Sequence, residues 1–325
     1  MSEAVAKKEV SQETAKRRTF AIISHPDAGK TTLTEKFLLY SGAVQEAGAV
    51  KARSGGRGAT SDWMELERQR GISISSTVLQ FPYGDKQFNL LDTPGHRDFS
   101  EDTYRVLTAV DAVIMVLDTA KGLESQTLKL FDVCRSHNLP VLTFFNKYDR
   151  PGRDPLELLD EVEQQIQLRA TPATWPVGIP GDFRGVIDRR DGSYVRFTRT
   201  ARGASEAHEE LLSPEQAAEI EGAAWTQAME GCSLLEAIDA NVDMPSFLSG
   251  HSTPVFVGSA ITNFGVRMLL DAVADLAPAP TSRTACDGSV REIDGDFSAQ
   301  VFKIQANMDP NHRDRVAFMR LCSGH

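Results

Sequence analysis

Apolar positions along the chain form short runs of strand length that alternate with helical patterns. The runs predict six strands, at residues 19–24, 74–81, 86–92, 112–118, 140–145 and 254–257. Helical spacing of apolar residues predicts five helices, at residues 30–40, 98–109, 123–137, 155–168 and 264–276. Strands that alternate with helices are typical of a mostly parallel sheet covered on both faces, so the pattern predicts an α/β fold.

Two stretches interrupt this alternation. Residues 41–71 contain six glycines and few apolar side chains, and they predict a long loop of the kind that is usually functional in a compact domain. Residues 171–253 predict an α+β insertion. Its expected parts are two proline-bearing turns at 175–176 and 179–180, a β-hairpin around 191–192, and an acidic helix over about 205–240.

The ends of the chain differ from the α/β part. Residues 1–18 are polar and predict a flexible N-terminal tail, so the α/β domain is expected over 19–280 with the insertion inside it. After a proline-containing linker, two stretches alternate apolar and polar side chains like strands of a new domain, at 297–305 and 314–321. About 40 residues are too few for a closed barrel, so residues 290–325 are expected to be the incomplete start of a β-barrel domain.

Composition and charge argue against several classes of protein. The 325 residues include 35 Lys and Arg against 45 Asp and Glu, a net charge of −10, which argues against a protein that coats nucleic acid by bulk charge, and no DNA partner is expected. No apolar run approaches the ~18 residues that cross a bilayer, and the polar N-terminus lacks the apolar core of a signal peptide, so no membrane partner is expected. The four cysteines lack CxxC spacing, and free thiols in a reducing cytoplasm are expected.

A phosphate-binding loop is predicted directly after the first strand. Residues 24–31, Ser-His-Pro-Asp-Ala-Gly-Lys-Thr, match G-x-x-x-x-G-K-[ST] except that Ser24 stands at the first position. Gly29 lets the backbone approach a phosphate, the helix start adds partial positive charge, and Lys30 supplies a point charge for the β- and γ-phosphates. The Thr31 hydroxyl is a candidate Mg²⁺ ligand, and the phosphate-binding candidates in this loop are Ala28, Gly29, Lys30, Thr31 and Thr32. An ordinary glycine turn followed by a helical lysine is the alternative.

A second motif, Asp92-Thr-Pro-Gly95-His96, lies where the strand predicted at 86–92 ends. The carboxyl ends of strands are where open α/β sheets bind ligands. Asp92 can hold Mg²⁺ through a water, the Gly95 N–H can contact a γ-phosphate, and His96 can orient an attacking water. The preceding loop ends near Ser73, whose hydroxyl can complete the Mg²⁺ shell. The alternatives are a capping role for Asp92 and a solvated side chain for His96.

Two further motifs predict selection of the guanine base. Asn146-Lys147-Tyr-Asp149 follows a predicted strand, and the Asp149 carboxylate can accept from guanine N1–H and the 2-amino group, which adenine does not offer. The Lys147 stem can cover the base and Asn146 can tie loops together. Ser259-Ala260, after the last α/β strand, can offer a backbone N–H to guanine O6. A polar turn is the alternative for the tetrapeptide alone, but the motifs occur in order after predicted strands, which predicts a P-loop GTPase domain that binds GTP or GDP with Mg²⁺.

These motifs resemble those of the translational GTPases. The DTPGH form with His96, and the stretch Arg70-Gly-Ile-Ser-Ile74, are similar to elongation factor G and its relatives. A narrower resemblance is to the N-terminal part of the bacterial peptide chain release factor 3 family. It covers about residue 18 to the end and is carried by residues 24–32, 62–67, 70–74, 89–96, 301–310 and 312–320.

The resemblance implies a ribosome-dependent GTPase of translation termination that helps to remove class I peptide chain release factors in the cytoplasm, with the ribosome and these factors as partners. It implies a GTPase domain followed by two β-rich domains. It also implies that Thr31 and Ser73 are Mg²⁺ ligands, that His96 is the catalytic histidine, and that Asp27 lies near the phosphates. This chain has Ser73 where most relatives have Thr. A hydrophobic gate around the histidine would consist of Pro26 and Ile72.

Two other functions stay open at this point. An elongation factor G-like translocase or a ribosome-protection GTPase would share the nucleotide motifs, although residues 305–320 argue against it. A truncated guanine-nucleotide-binding fragment without ribosomal activity is the other alternative, because the chain is expected to stop inside a domain.

Overall fold

The structure is a computed structural model, and it describes residues 3–42, 77–93, 100–198, 206–306 and 315–324. Seven strands of this described part form the main sheet, and only β2 runs antiparallel to its neighbour. Their order across the sheet is β2 (Thr77–Tyr83), β3 (Lys86–Asp92), β1 (Arg17–Ser24), β4 (Ala112–Asp118), β5 (Val141–Asn146), β11 (Ser252–Val257) and β6 (Arg169–Pro172). The predicted α/β fold with a mostly parallel sheet is confirmed.

Helices cover the main sheet on both faces, because its central strands carry apolar side chains at consecutive positions. In β1, Phe20 and Ile22 face one layer of the core, and Ala21 and Ile23 face the other. The first layer contains α2 (Lys30–Tyr40), α8 (Met244–Leu248) and α9 (Val266–Leu276). The second layer contains α3 (Ser100–Leu107), α4 (Ser125–Ser136) and α5 (Pro155–Ile166).

The N-terminal segment is a helix where the sequence predicted a flexible tail. Helix α1 spans Glu3–Lys16, and β1 begins immediately after it at Arg17. Ala, Glu, Lys and Gln dominate this segment, and these residues have high helix propensity, a signal that the polarity of the segment obscured. The buried Arg18 side chain donates to Ala15 O and to Ala274 O, both at 3.0 Å, so it joins the end of α1 to the helix layer that contains α9.

The predicted insertion forms a four-stranded antiparallel sheet with two helices. The strand order is β10 (His208–Leu212), β9 (Tyr194–Thr198), β8 (Asp182–Asp188) and β7 (Thr174–Ile179), and the helices are α6 (Pro214–Glu221) and α7 (Ala223–Ala237). The hairpin around 191–192 is confirmed as the turn between β8 and β9. Strand β6 pairs with β11, so the main sheet extends to Pro172 before the insertion begins.

Two local predictions within the insertion are wrong. The turn expected at Trp175-Pro176 is part of β7, which tolerates a proline because it is an edge strand of its sheet. The single helix expected over 205–240 is a strand and two helices. Ser213 caps α6 with Pro214 in its first turn, and Gly222, with φ +55°, separates α6 from α7.

Four further strands follow the main sheet. Two short ones, β12 (Arg283–Thr284) and β13 (Val290–Arg291), pair with each other, and the two predicted from alternation are confirmed as the antiparallel pair β14 (Ser298–Ala306) and β15 (Arg315–Ser323). No helix in the described ranges is long and apolar enough to cross a membrane.

Candidate nucleotide site

The predicted motifs meet at one edge of the main sheet. Strands β1, β3, β4, β5 and β11 are parallel, so their carboxyl ends share this edge. A pocket of about 320 Å³ opens here, and it is lined by Ser24, His25, Pro26, Asp27, Gly29, Lys30, Thr31, Thr32, Asn146, Lys147, Arg150, Ala260 and Ile261. The pocket therefore brings the phosphate loop together with three of the predicted base-selecting residues, Asn146, Lys147 and Ala260, whereas Asp149 and Ser259 do not line it.

The phosphate loop has the backbone geometry of an anion-binding turn. Asp27 and Gly29 both have positive φ values, +68° and +105°, which turns the chain sharply between β1 and α2. Helix α2 begins at Lys30, and no side chain caps its N-terminus. The first N–H groups of a helix have no partner within the helix, so the start of α2 suits a phosphate at the site.

Side chains of the loop suit a phosphate and a metal ion. The Lys30 side chain is largely buried, and the Ser24 hydroxyl is buried without a hydrogen-bond partner among the described residues. Thr31 and Thr32 are half-buried at the start of α2 and line the pocket. A hydroxyl oxygen at Thr31 fits Mg²⁺, which prefers oxygen ligands and usually shares them with substrate phosphates.

Asn146 joins three loops at the pocket. Its Nδ2 donates to Ala28 O of the phosphate loop at 2.7 Å, and its Oδ1 accepts from the Ala260 N–H at 2.9 Å. The side chain is 1% exposed, so both hydrogen bonds lie in a region of low dielectric where leaving them unmade would be costly. The structure supports the loop-tying role predicted for Asn146.

Lys147 lines the pocket and contacts the phosphate loop. Its backbone is in the left-handed region, with φ +67°, and its ammonium group donates to Asp27 O and to Asp118 Oδ2, the latter at 2.7 Å. The two acceptors fix the end of the side chain, and its methylene stem is half-buried between them and the backbone.

Asp149 presents an acceptor without a partner. Its Oδ1 is buried, and no donor among the described residues reaches it. Asp149 is not among the residues that line the pocket, although Lys147 and Arg150 on either side of it are. Buried polar atoms are nearly always hydrogen-bonded, so an unpaired carboxylate oxygen suits a ligand that brings its own N–H groups. A guanine edge with N1–H and the 2-amino group is such a ligand.

The Ser259-Ala260 turn is held against the base-selecting motif. Gly258 N donates to Phe145 O at 2.9 Å and Tyr148 N donates to Gly258 O at 3.1 Å, so the turn after β11 is joined to the end of β5. Ser259 pairs with Phe264 in an isolated bridge, and the Ser259 hydroxyl is buried without a partner in the described part of the chain. The Ala260 N–H is engaged by Asn146, so it is not free for guanine O6 in this arrangement.

The insertion supports the base-selecting motif from outside. Tyr148 O accepts from the Gly181 N–H at 3.0 Å, and the Tyr148 ring packs edge-on against Phe183 with ring centroids 5.0 Å apart. Burial raises the pKa of the Tyr148 phenol, which therefore stays neutral at any physiological pH. Packing of Tyr148 couples the orientation of the residues on either side of it, Lys147 and Asp149, to the insertion.

The end of β3 is fixed, but most of the second motif lies outside the described residues. The Thr93 hydroxyl donates to Ile22 O at 2.6 Å, and the residue is 1% exposed, which anchors the strand end beside β1. Asp92 ends β3 at the pocket edge of the sheet. Four predicted site residues lie outside the described ranges, and these are Ile72, Ser73, Gly95 and His96.

Sequence patterns did not indicate four residues that shape the pocket. Arg150 and Ile261 line it, and Asp118 and Thr119 are hydrogen-bonded to Lys147 and Asn146, respectively. The Thr119 hydroxyl donates to Asn146 O at 2.7 Å. The only signal for Asp118 is that an acidic residue ends a strand at the ligand-binding edge of the sheet.

Comparison with known proteins agrees with this geometry. Residues 15–279 match the family model of the elongation factor Tu GTP binding domain. The peptide chain release factor 3 of Gloeothece citriformis (strain PCC 7424) is 56% identical over 319 residues, which is 97% of this chain and 59% of that protein. The peptide chain release factor 3 of Synechococcus elongatus (strain ATCC 33912 / PCC 7942 / FACHB-805) is 56% identical over 320 residues, 98% of this chain and 58% of that protein. The resemblance drawn from the motifs is confirmed.

A solved structure supports the same fold. A crystal structure of a protein from Thermus thermophilus superposes with a TM-score of 0.72 at 26% identity, covering 95% of this chain and 46% of that one. The chain spans just under three fifths of the length of the release factor relatives that it matches. Because the family model covers most of the residues, the chain belongs to the elongation factor Tu GTP binding domain family.

Proposed function

We propose that the chain binds and hydrolyses GTP as part of a ribosome-dependent GTPase of translation termination in the cytoplasm. The observation that carries the nucleotide part is the Asn146 side chain, which joins the phosphate loop to the Ala260 turn with two buried hydrogen bonds. The termination part rests on the 56% identity to relatives named peptide chain release factor 3.

The phosphates and the base of the nucleotide each have a matching group among the described residues. The N–H groups at the start of α2 and the Lys30 ammonium suit the β- and γ-phosphates, and the unpaired Asp149 Oδ1 suits the guanine edge. The Lys147 stem would cover one face of the base. Ser259 and Ala260 close the base side, with Ser259 bringing an unpaired hydroxyl.

Hydrolysis needs groups on the second motif and on the loop before it. Thr31 would hold a Mg²⁺ ion together with Ser73 and, through water, Asp92. When bound, this ion neutralises charge on the phosphate oxygens. Gly95 would contact the γ-phosphate, and His96 would orient the attacking water. A gate of Pro26 and Ile72 would keep bulk water from His96 until a partner completes the site.

The partners proposed are the ribosome and class I peptide chain release factors. The resemblance to the release factor 3 family covers residues 301–310 and 312–320, outside the nucleotide site, and favours termination over translocation. A translocase or ribosome-protection GTPase would share the pocket and would differ in which ribosomal complex stimulates it.

The test is GTP turnover by the chain with three kinds of ribosome: ribosomes carrying a class I release factor, vacant ribosomes, and pre-translocation complexes. Stimulation that is strongest with the release factor complex, together with loss of the factor from the ribosome, is the expected result. Strongest stimulation by pre-translocation complexes with movement of tRNA would instead support a translocase. Guanine-nucleotide binding with no stimulation by any complex would contradict the termination proposal.

A further inference from the structure

We propose that Asp118 is a positioning residue for guanine-nucleotide binding, acting through the ammonium group of Lys147. The inference rests on the proposed nucleotide function and adds a residue that no motif of the sequence singles out. Asp118 ends β4, on the strand next to the one that carries Asn146 and Lys147, and its carboxylate is 2.7 Å from Lys147 Nζ.

The Asp118 carboxylate is held in one orientation. Its Oδ1 accepts from the Ala120 N–H at 2.9 Å, which leaves Oδ2 for Lys147. Its backbone oxygen accepts from Lys121 N and Gly122 N at 3.0 and 2.8 Å, so the turn after β4 closes tightly around it. The residue is 6% exposed, and a carboxylate this well buried needs the charged partner that Lys147 supplies.

Lys147 depends on this partner more than a surface lysine would. Its left-handed backbone is a conformation that a non-glycine residue keeps only when its surroundings fix it. A lysine side chain has many rotamers, and binding a base across its stem would require it to adopt one of them. Because the ammonium is already held between Asp118 Oδ2 and Asp27 O, that ordering is complete before the nucleotide arrives.

The same pair connects the base side of the pocket to the phosphate side. Lys147 reaches from the end of β5 to the phosphate-loop carbonyl of Asp27, and Asp118 fixes the distance it spans. Loss of the carboxylate frees the ammonium to leave the loop and weakens the contact of the stem with the base. The expected consequence is faster release of nucleotide, because a pre-formed contact mainly lowers the dissociation rate.

The experiment measures release of a fluorescent GDP analogue from the 325-residue chain after addition of excess GDP. The Asp118→Asn variant keeps the shape and an acceptor for the Ala120 N–H but removes the charge. Its release rate should rise about tenfold or more. Lys147→Met should show a similar rise, and the double variant should release GDP within about twofold of Lys147→Met, because Asp118 then has no ammonium to position.

Asp111→Asn is the matched control. Asp111 is a buried carboxylate beside the opposite end of the same strand, paired with Arg283 and Arg320 at 2.9 and 2.7 Å. This substitution should lower thermal stability and leave the GDP release rate within about twofold of wild type. A purely structural effect of removing a buried charge would raise the release rate in both variants.

Three results would overturn the proposal: an Asp118→Asn release rate within twofold of wild type, an equal rise in Asp111→Asn, or a double variant in which the two single effects multiply. If Asp118→Asn does not fold, Asp118→Ser, whose hydroxyl can still accept from the Ala120 N–H, is measured against the same limits. Wild-type chain that retains no GDP would contradict the proposed function itself and the role of Asp118 with it. If the wild-type chain retains GDP and the release rate of Asp118→Asn is unchanged, only the role of Asp118 is contradicted.

Discussion

A Cβ atom built on Gly29 lies 2.2 Å from Nδ2 of Asn146, so these two residues are fitted to each other across the nucleotide pocket. The close approach is what allows the Asn146 amide to reach the Ala28 carbonyl at 2.7 Å. Gly29 also has φ +105°, which side chains disfavour. The glycine of the phosphate loop thus serves a contact with another loop as well as the approach of a phosphate.

The first prediction concerns Gly29→Ala. The added methyl group must push Asn146 away and break its hydrogen bond to Ala28 O, while the backbone resists the left-handed conformation. GDP affinity, measured by titration with a fluorescent analogue, should fall by about 100-fold or more, since this hydrogen bond and the loop shape are lost. Gly84→Ala is the control, because Gly84 also has positive φ but a Cβ there meets nothing within 4 Å. GDP affinity unchanged in Gly29→Ala would contradict this explanation.

The second prediction concerns Asp149→Asn. An amide offers an N–H donor where the carboxylate offers only acceptors, so it suits the 2-oxo group of xanthine better than the 2-amino group of guanine. Preference should shift from GDP to XDP by about 10³-fold or more, as expected when a buried polar group loses its match. Competition between the two nucleotides measures this. Asp154→Asn, at the N-cap of α5, is the control and should keep the preference for GDP. An unchanged preference for GDP in Asp149→Asn would show that Asp149 does not contact the base.

The third prediction concerns His96→Ala. If His96 orients water and does not contact GDP, ribosome-stimulated GTP turnover should fall by about 10²-fold or more, and GDP affinity should stay within about twofold. Single-turnover hydrolysis and GDP titration separate the two effects. His137→Ala, an exposed histidine that follows α4, should change neither quantity. A large loss of GDP affinity in His96→Ala would refute the assigned role.

The fourth prediction concerns the contact between Asp111 and the strands after the main sheet. Arg283 and Arg320 both donate to the Asp111 carboxylate. They also donate to the carbonyl oxygens of the three residues that follow α3, Thr108, Ala109 and Val110. Replacing Asp111 with Ala leaves two arginine side chains facing each other near buried backbone. The free energy of unfolding in urea should fall by about 3 kcal/mol, as for other broken buried ion pairs.

Arg291→Ala is the comparison for this fourth prediction. Asp287 and Arg291 form an exposed pair 4.0 Å apart, and removing the arginine leaves the hydrogen bonds of Asp287 to Ser289 in place. Losing this pair should leave the urea midpoint unchanged within error. Equal urea midpoints for Asp111→Ala and wild type would show that the contact contributes nothing to stability.

The fifth prediction concerns thiol chemistry. Burial raises the pKa of Cys134 to about 12 and that of Cys232 to about 11, so both thiols are protonated at pH 7 to 8, whereas Cys286 is exposed. Only thiolates react rapidly with disulfide reagents, so Cys286 should be modified first and Cys134 last. Mass spectrometry of the partly modified chain measures the order, and Cys286→Ser should remove the fastest phase. Early modification of Cys134 in the folded chain would contradict its burial.

Sequence patterns predicted the parts of this molecule that local chemistry determines. The apolar runs placed six of the seven strands of the main sheet and missed β6. The phosphate loop, Asn146-Lys147-Tyr-Asp149 and Ser259-Ala260 were found because their spacing carries the chemistry. Contacts between distant residues were not predictable in this way. That Asn146 bonds Ala28, or that Lys147 pairs with Asp118, depends on which strands are neighbours and on their register.

The errors have the same origin. Pro176 suggested a turn because the local sequence does not show that it lies in an edge strand, which only the whole insertion determines. Residues 1–18 suggested a tail because a polar helix has no apolar stripe.

Competition between GDP and ADP for the pocket tests the central claim most directly. The chain is loaded with a fluorescent GDP analogue, and GDP, ADP and XDP are titrated against it. The unpaired Asp149 carboxylate predicts that GDP displaces the analogue at concentrations at least about 10³-fold lower than either competitor. Displacement by ADP at the same concentration as GDP would contradict the claim that this pocket selects guanine.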